Sequence, residues 1–199
     1  MRIIAGIRKG RQLTAPAGTT TRPTADRVRQ ALFDMLVHAP WGGAGLLSEA
    51  CVLDAFAGTG ALALEALSRG AASACFFETD RPALAALRKN IADCNWQERC
   101  TVLAKDVTSP TKARKPCSLL FIDPPYRQGL PARALAALSK GGWIAPGAIA
   151  VIETADNEPL PLTDPAHPAP QSEPEQVTFN GTLLAERKHG AARLSVWQL

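Results

Sequence analysis

From residue 50 onward, short apolar runs alternate with stretches of helical periodicity. Five runs are almost entirely apolar and predict strands, at residues 51–54, 74–77, 101–103, 118–122 and 148–152. Three stretches between these runs predict helices, at residues 61–69, 82–94 and 130–139. Strands without polar alternation are typical of a parallel sheet that is covered on both faces. Two final runs, 177–185 and 191–197, flank the turn-like His189-Gly190 and predict a closing antiparallel hairpin. This pattern predicts an α/β fold.

Two segments depart from this alternation. Residues 1–45 form a separate extension, in which 2–4 and 11–13 predict a small ribbon and 24–38 a helix with Thr24 as its N-cap. Residues 154–176 contain six prolines and predict an irregular surface loop. We therefore expect an N-terminal extension at 1–45 and a main domain at 46–199.

Composition excludes several classes of protein. Apolar residues make up 46% of the 199 residues and charged residues 20%, which suits a globular core and excludes a wholly disordered chain. No uninterrupted apolar run reaches the roughly 18 residues of a membrane span, and the N-terminus has no apolar stretch typical of a signal peptide. The five cysteines are an odd number and form no Cys-x-x-Cys pair, which argues against a disulfide framework or a zinc knuckle. We expect a cytoplasmic protein that holds no metal.

Positive charge is concentrated at the N-terminus. The whole chain has a formal net charge of +4, but residues 1–30 contain seven basic side chains against Asp26 alone. A basic end on a nearly neutral body is typical of a protein that binds a polyanion. A solvated, solubilising surface is the alternative interpretation.

A glycine-rich loop, Asp54-Ala55-Phe56-Ala57-Gly58-Thr59-Gly60, follows the first core strand and opens a helix. Glycines let the backbone turn tightly and approach a ligand, and the helix start offers unpaired N–H groups. At the end of the next strand, Glu78 or the nearby Asp80 can accept the hydroxyls of a ribose. Asp106, after the third strand, is a candidate acceptor for an adenine amino group. Together these residues predict an adenosine-containing cofactor, with candidate contacts from Asp54, Phe56, Ala57, Gly58, Thr59, Gly60, Glu78 and Asp106.

The glycine loop alone does not identify the cofactor. Gly58-x-Gly60-x-x-Ala63 also satisfies the dinucleotide fingerprint, so a nicotinamide cofactor stays open. Asp54, four residues before the first glycine, favours S-adenosylmethionine, because a carboxylate there can attract its ammonium or sulfonium group. Asn90, near the end of the following helix, is interpreted as a helix cap rather than as a cofactor ligand.

The most specific motif is Asp123-Pro124-Pro125-Tyr126, at the end of the fourth strand. The lone pair of an exocyclic base amine is delocalised into the ring, so the amine reacts poorly unless acceptors bind its two N–H groups. Asp123 and the Pro124 carbonyl can supply these acceptors, because two prolines stiffen the backbone and donate no N–H. Tyr126 can stack on the base. The motif therefore predicts methyl transfer to a base amine, provided that this loop and the glycine loop meet at one edge of the sheet.

These motifs resemble those of class I S-adenosylmethionine-dependent methyltransferases. More narrowly, they resemble the RsmD-type guanine-N2 methyltransferases of bacterial small-subunit (16S) rRNA, through Arg2-Ile3-Ile4-Ala5-Gly6, Lys9-Gly10-Arg11, the block from Thr21 to Arg29, the glycine loop and Asp123 to Tyr126. The resemblance implies a Rossmann-like, mostly parallel seven-stranded sheet with an antiparallel last strand and helices on both faces. It also implies S-adenosyl-L-methionine as cofactor and amine positioning by Asp123, Pro124, Pro125 and Tyr126.

The resemblance further implies that a monomer binds 16S rRNA, either naked or in an assembled subunit. The N-terminal extension would then supply salt-dependent phosphate contacts. The candidate RNA-binding residues are Arg8, Lys9, Arg11, Arg22, Thr24, Arg27 and Arg29. Three alternatives stay open: an adenine-N6 methyltransferase of DNA or RNA, a nicotinamide-dependent dehydrogenase, and a non-catalytic RNA-binding assembly factor.

Overall fold

A computed structural model describes residues 1–16, 23–165 and 179–199 of the chain. The chain divides into two compact units, which we call the N-terminal unit (Met1–Asp106) and the C-terminal unit (Val107–Leu199). The predicted boundary between residues 45 and 46 stays a prediction. Within the described residues, no helix combines the length and the apolar character that crossing a bilayer requires.

The N-terminal unit contains three parallel strands in the order β3-β2-β1. Its elements are α1 (Pro23–His38), α2 (Ala44–Leu47), β1 (Cys51–Asp54), α3 (Ala61–Ser68), β2 (Ser73–Phe77), α4 (Arg81–Asp93) and β3 (Cys100–Leu103). Every residue of β1 is buried, as expected for an apolar strand inside a covered sheet. Asp54 pairs with Phe76 and Phe77 pairs with Leu103, so the three strands end at one edge.

The described part of the C-terminal unit contains four strands in the order β4-β5-β7-β6. Its elements are β4 (Cys117–Ile122), α5 (Leu130–Lys140), β5 (Ile144–Ala155), β6 (Thr182–His189) and β7 (Ala192–Gln198). β4 and β5 are parallel, whereas β7 is antiparallel to both of its neighbours. The seven strands make up one mostly parallel sheet, which confirms the predicted α/β, Rossmann-like class and its antiparallel last strand.

The N-terminal ribbon is present and is tied to α3. The N–H of Ile3 donates to the Arg11 carbonyl at 2.9 Å, and the next two backbone N–H groups donate to the buried Glu65 carboxylate at 2.7 and 3.0 Å. Gly6, at φ +78°, lies so close to α3 that a Cβ there would be 1.8 Å from the Ser68 carbonyl oxygen. Only glycine allows the ribbon to approach the helix this closely.

Several predicted boundaries are wrong. The first helix begins at Pro23, so Thr24 lies inside its first turn rather than at the N-cap. The strand before the last turn spans Thr182–His189, not 177–185, because its pairing with β7 sets its limits; residues 177 and 178 lie outside the described part. β5 continues to Ala155 and takes up the start of the predicted proline-rich loop, of which residues 166–176 lie outside the described part.

Candidate functional site

The glycine loop after β1 is a tight strand-to-helix turn with two left-handed glycines. Gly60, at φ +79°, donates its N–H to the Ala57 carbonyl at 2.7 Å, and a Cβ on it would lie 2.4 Å from Cδ1 of Leu87. Gly58, at φ +52°, has no atom within 4 Å of the position that a Cβ would occupy. Packing therefore requires a glycine at residue 60, whereas residue 58 leaves open space in which a ligand can approach the backbone.

Glu78 fastens this loop to the end of β2. Its Oε2 accepts a hydrogen bond from the Gly58 N–H at 2.7 Å, and its Oε1 accepts from the N–H groups of Thr79 and Asp80 at 2.7 and 2.8 Å. The Asp80 side chain instead caps α4 by accepting the Ala83 N–H at 2.9 Å. Because Asp80 already serves as a cap and Glu78 contacts the loop, the geometry favours Glu78 as the acid nearest a bound ribose.

The other predicted cofactor residues lie on the same three strands or the loops that follow them. Asp54 is 2% exposed at the end of β1, and Ala57 is buried in the loop. Phe56 and Thr59 are half-buried, and Asp106 is exposed in the segment after β3. The structure thus brings the loop and Glu78 into direct contact and leaves the roles of Asp54 and Asp106 as predictions.

Asn90 has a role that the sequence did not reveal. It lies inside α4 with no exposed surface, so the interpretation as a helix cap is wrong. Its Oδ1 accepts from the Thr14 N–H at 2.7 Å, and its Nδ2 donates to the carbonyls of Thr14 and Thr59 at 3.0 Å each. Asn90 therefore joins the segment after the ribbon to the glycine loop. The available signal was a polar residue among the apolar positions of α4, next to Ile91.

The Asp-Pro-Pro-Tyr motif occupies the carboxyl end of β4 in the C-terminal unit. Ile122 pairs with Ile152 of the parallel strand β5, so the residues that follow, Asp123 and Glu153, lie side by side. The Tyr126 hydroxyl donates to Glu153 Oε1 at 2.5 Å, although the Tyr126 side chain is 40% exposed. Glu153 therefore fixes the orientation of the exposed ring.

Two groups of the motif, Asp123 and Tyr126, have raised pKa values. The surrounding protein displaces much of the solvent around Asp123, and this burial, followed by repulsion from Glu153, raises the pKa of Asp123 to about 7. By its accessible surface Asp123 is nevertheless an exposed residue. Burial, then the hydrogen bond to Glu153, also raises the pKa of Tyr126. The carboxyl of Asp123 therefore titrates near neutral pH at the place where the motif predicts an amine.

Sequence reasoning missed Glu153 because the predicted strand ended at residue 152. The signal that could have found it is a single acid within the apolar run of β5. Glu158 has a related structural role: its Oε1 accepts from the N–H of Arg127, at φ +63°, and its Oε2 accepts from the Ala155 N–H, at 2.7 and 2.8 Å. This double contact fixes the turn that follows Tyr126.

Arg29 is not a surface cation. It is 5% exposed, and its guanidinium donates to the Arg2 carbonyl at 2.6 Å and to Asp26 at 2.9 Å. The prediction that Arg29 is an RNA contact is therefore wrong, because this buried side chain ties α1 to the ribbon. Arg22 lies outside the described residues, as does the side chain of Thr24.

The remaining predicted RNA contacts fall into two groups. Arg8 donates through Nε to the Cys94 carbonyl at 3.1 Å, and Arg11 donates to the Asp93 carbonyl, so both are held against the end of α4. The second group, Lys9 and Arg27, is exposed. The basic residues that sequence analysis treated as one surface therefore differ in their freedom to meet a ligand.

Comparison with known proteins adds an independent finding. Residues 1–168 match the family model Conserved hypothetical protein 95. The chain is 38% identical over 167 residues to the Ribosomal RNA small subunit methyltransferase D of Escherichia coli K12, an alignment that covers 84% of this chain and 80% of that relative. It is 32% identical to the protein of the same name from Haemophilus influenzae, covering 100% of this chain and 93% of the relative.

Solved structures show the same fold. The Escherichia coli protein yhhF, described as a methyltransferase, aligns with a TM-score of 0.78 at 34% identity, covering 100% of this chain and 97% of that one. A Haemophilus influenzae protein described as a methylase aligns with a TM-score of 0.74 at 29% identity, covering 99% and 97%. Both alignments cover nearly the whole chain, so the similarity is not limited to the glycine loop, which many folds share.

Proposed function

Because the chain belongs to the Ribosomal RNA small subunit methyltransferase D family, we propose that it transfers a methyl group from S-adenosyl-L-methionine to the exocyclic N2 amine of a guanine in 16S rRNA. The observation that carries this proposal is the Asp123 to Tyr126 motif at the carboxyl end of β4, with its tyrosine held by Glu153. Ligands of α/β proteins bind at such strand ends.

The N-terminal unit supplies the residues that would hold the cofactor. The open space beside Gly58 allows a ligand to approach the loop, and Glu78 uses three of its roughly four acceptor positions, so it can accept a further ribose hydroxyl. Asp54 and Asp106 complete the proposed set. When bound, S-adenosyl-L-methionine supplies an electrophilic methyl group on a sulfonium.

The C-terminal unit supplies the residues that would position the amine. The Asp123 carboxylate and the Pro124 carbonyl accept its two N–H bonds, and the Tyr126 ring stacks on the base. The methylated nitrogen must then release a proton, and Asp123 can accept it because the raised pKa of this carboxyl lies near neutrality. Pro125 has no N–H and keeps the turn stiff.

The N-terminal residues would supply affinity for RNA through phosphate contacts. We assign this role to Arg8, Lys9, Arg11, Arg22, Thr24 and Arg27. A paired guanine cannot reach a methyl donor, so the target base must leave its stack. The enzyme would act in the cytoplasm, as a monomer without a metal, on rRNA or on an assembled small-subunit particle.

The decisive experiment is mass-spectrometric nucleoside analysis of 16S rRNA after incubation with the wild-type protein or with Asp123→Ala. We expect N2-methylguanosine only with the wild type. The variant should bind S-adenosylhomocysteine in a calorimetric titration as tightly as the wild type does. Formation of N6-methyladenosine instead would show an adenine methyltransferase, and binding of NADH in place of S-adenosylhomocysteine would show a dehydrogenase.

A further inference from the structure

A groove of about 450 Å³ lies between the ribbon and α1 in the N-terminal unit. Both walls carry charged or polar side chains, which come from two elements that are distant in sequence. The residues that matter are Arg2 and Lys9 on the ribbon and Asp26, Arg27, Gln30 and Asp34 on α1. The groove lies apart from the glycine loop and the Asp123 motif in sequence and was not distinguished by sequence analysis.

The two acidic groups of the groove differ in how far they are compensated. Asp26 is paired with Arg29 at 2.9 Å. Asp34 accepts a hydrogen bond from the uncharged Gln30 at 2.6 Å and lies 4.0 Å from an Arg69 nitrogen, but Arg69 also pairs with Glu65 at 2.7 Å. Asp26 therefore adds little free negative charge to the groove, whereas Asp34 keeps part of its charge.

The cations of the groove are in the opposite situation. Arg2, Lys9 and Arg27 are exposed, and within the described parts of the chain no carboxylate forms an ion pair with any of them. The backbone carbonyl of Arg2 accepts a hydrogen bond from Arg29, and among the described residues the Arg2 guanidinium has no hydrogen-bond partner. The groove thus has a net positive charge, from three cations without an ion-pair partner on two facing elements against the partly compensated Asp34, and a concave surface focuses such a field.

We propose that this groove binds the phosphate backbone of a single-stranded stretch of the RNA substrate, through Arg2, Lys9 and Arg27. The identity of the polyanion as RNA rests on the proposed function. Cations on both walls suit a strand that runs along the groove with successive phosphates. Arg8 and Arg11 contribute less, because backbone carbonyls at the end of α4 already bind their guanidinium groups.

The test compares two triple variants that remove the same charge. The groove variant, Arg2→Ala/Lys9→Ala/Arg27→Ala, removes the three cations of the groove. The control variant, Lys112→Ala/Arg114→Ala/Lys115→Ala, removes three exposed cations from the segment between β3 and β4. Binding of a short fluorescent single-stranded RNA is followed by anisotropy over a series of potassium chloride concentrations, without cofactor. Circular dichroism melts of both variants show whether they fold.

The groove variant should lose affinity about 10-fold or more at low salt, and its slope of log K against log salt should flatten by about two, at about 0.7 for each phosphate contact on a single strand. The control variant should keep a slope close to that of the wild type. Equal losses in both variants would show that net charge alone controls binding, and unchanged binding by a folded groove variant would show that RNA binds elsewhere; either result overturns the proposal.

This measurement involves no methyl transfer, so it fails or succeeds separately from the proposed function. If the wild type forms no N2-methylguanosine but the groove variant still binds RNA more weakly, the proposed reaction is wrong and the RNA-binding role of the groove is supported. If the wild type methylates guanine and the groove variant binds RNA normally, only the groove proposal is wrong.

Discussion

At the scale of single residues, the proposed reaction predicts that the Asp123 carboxyl sets the pH range in which the protein is active. Burial and the neighbouring Glu153 raise its pKa to about 7, so the protonated form, which accepts the amine poorly, predominates at lower pH. We predict that kcat falls as the pH decreases through this value. The substitution Glu153→Gln removes the repulsion between the two carboxylates, so the acidic limb of the kcat–pH profile should move to lower pH. The measurement compares the kcat–pH profiles of the wild type and the variant. Identical limbs would contradict this account.

The substitution Asp123→Asn should raise stability at alkaline pH and lower activity. A carboxyl whose pKa is raised on folding binds its proton more tightly in the folded state, so its contribution to stability is present at acidic pH and is lost as the pH rises towards the folded pKa. The neutral amide avoids that loss. We expect the Tm of the variant to exceed that of the wild type by more at about pH 8 than at about pH 5, with turnover lower by about 10²- to 10³-fold. An equal Tm difference at both pH values would argue against a raised pKa.

The Tyr126 ring and the Tyr126 hydroxyl should have separable effects. Tyr126→Phe keeps the ring but loses the 2.5 Å bond to Glu153, so its orientation is less restricted and kcat should fall a few-fold. Tyr126→Ala also removes base stacking, which is worth about 1–3 kcal/mol, and should raise KM by about 5- to 150-fold. Steady-state kinetics with RNA as the varied substrate measures both constants. Equal KM values for the two variants would exclude stacking.

At the scale of elements, the turn from β1 into α3 depends on packing behind it. Gly60→Ala combines a left-handed φ of +79° with a Cβ that would lie 2.4 Å from Leu87 Cδ1, so the loop must move or Leu87 must repack. We predict a lower Tm and at least about a tenfold loss of S-adenosylhomocysteine affinity by calorimetry, since a small displacement of binding groups is costly. Gly45→Ala, a site with ordinary φ and open space, is the matched control and should bind normally.

The elements that the sequence predicted well are those whose pattern is local. The apolar run of β1 and the helices behind the glycine loop match the structure to within a residue or two. The strand β6 was misplaced because it is partly exposed along its length and its pairing shifts between Leu183 and Ala185, so no clear apolar pattern marks its limits. Asn90 and Glu153 were misjudged for a different reason: their partners are 76 and 27 residues away, and only the fold brings them together.

The same contrast explains Arg29 at the scale of the whole molecule. Its place in the basic N-terminal block favoured an RNA contact, but the ribbon folds back over its side chain. Two buried polar side chains, Asn90 and Glu65, tie the N-terminal segment to the glycine loop and to α3. The basic extension is therefore held by the elements that support the glycine loop. We expect RNA affinity to depend on these buried residues, although RNA would not touch them.

Glu65 provides the sharpest test of this dependence. Its carboxylate is fully buried, accepts two ribbon N–H groups and pairs with Arg69 Nε at 2.7 Å. Glu65→Ala leaves these donors unpaired and should cost about 3–5 kcal/mol, measured by urea unfolding. Glu65→Gln keeps the shape and one acceptor oxygen, so it should fold but exchange the ribbon amides faster and bind RNA more weakly.

The control is Glu98→Ala, which removes the same charge from an exposed turn. It should leave amide exchange in the ribbon unchanged and, by its charge, should not weaken RNA binding. Because Glu65→Gln makes the net charge more positive, electrostatics alone would increase its RNA affinity. A decrease with intact global stability would therefore show that the ribbon must be held in place for its cations to act, and an increase would show that their charge suffices without that support.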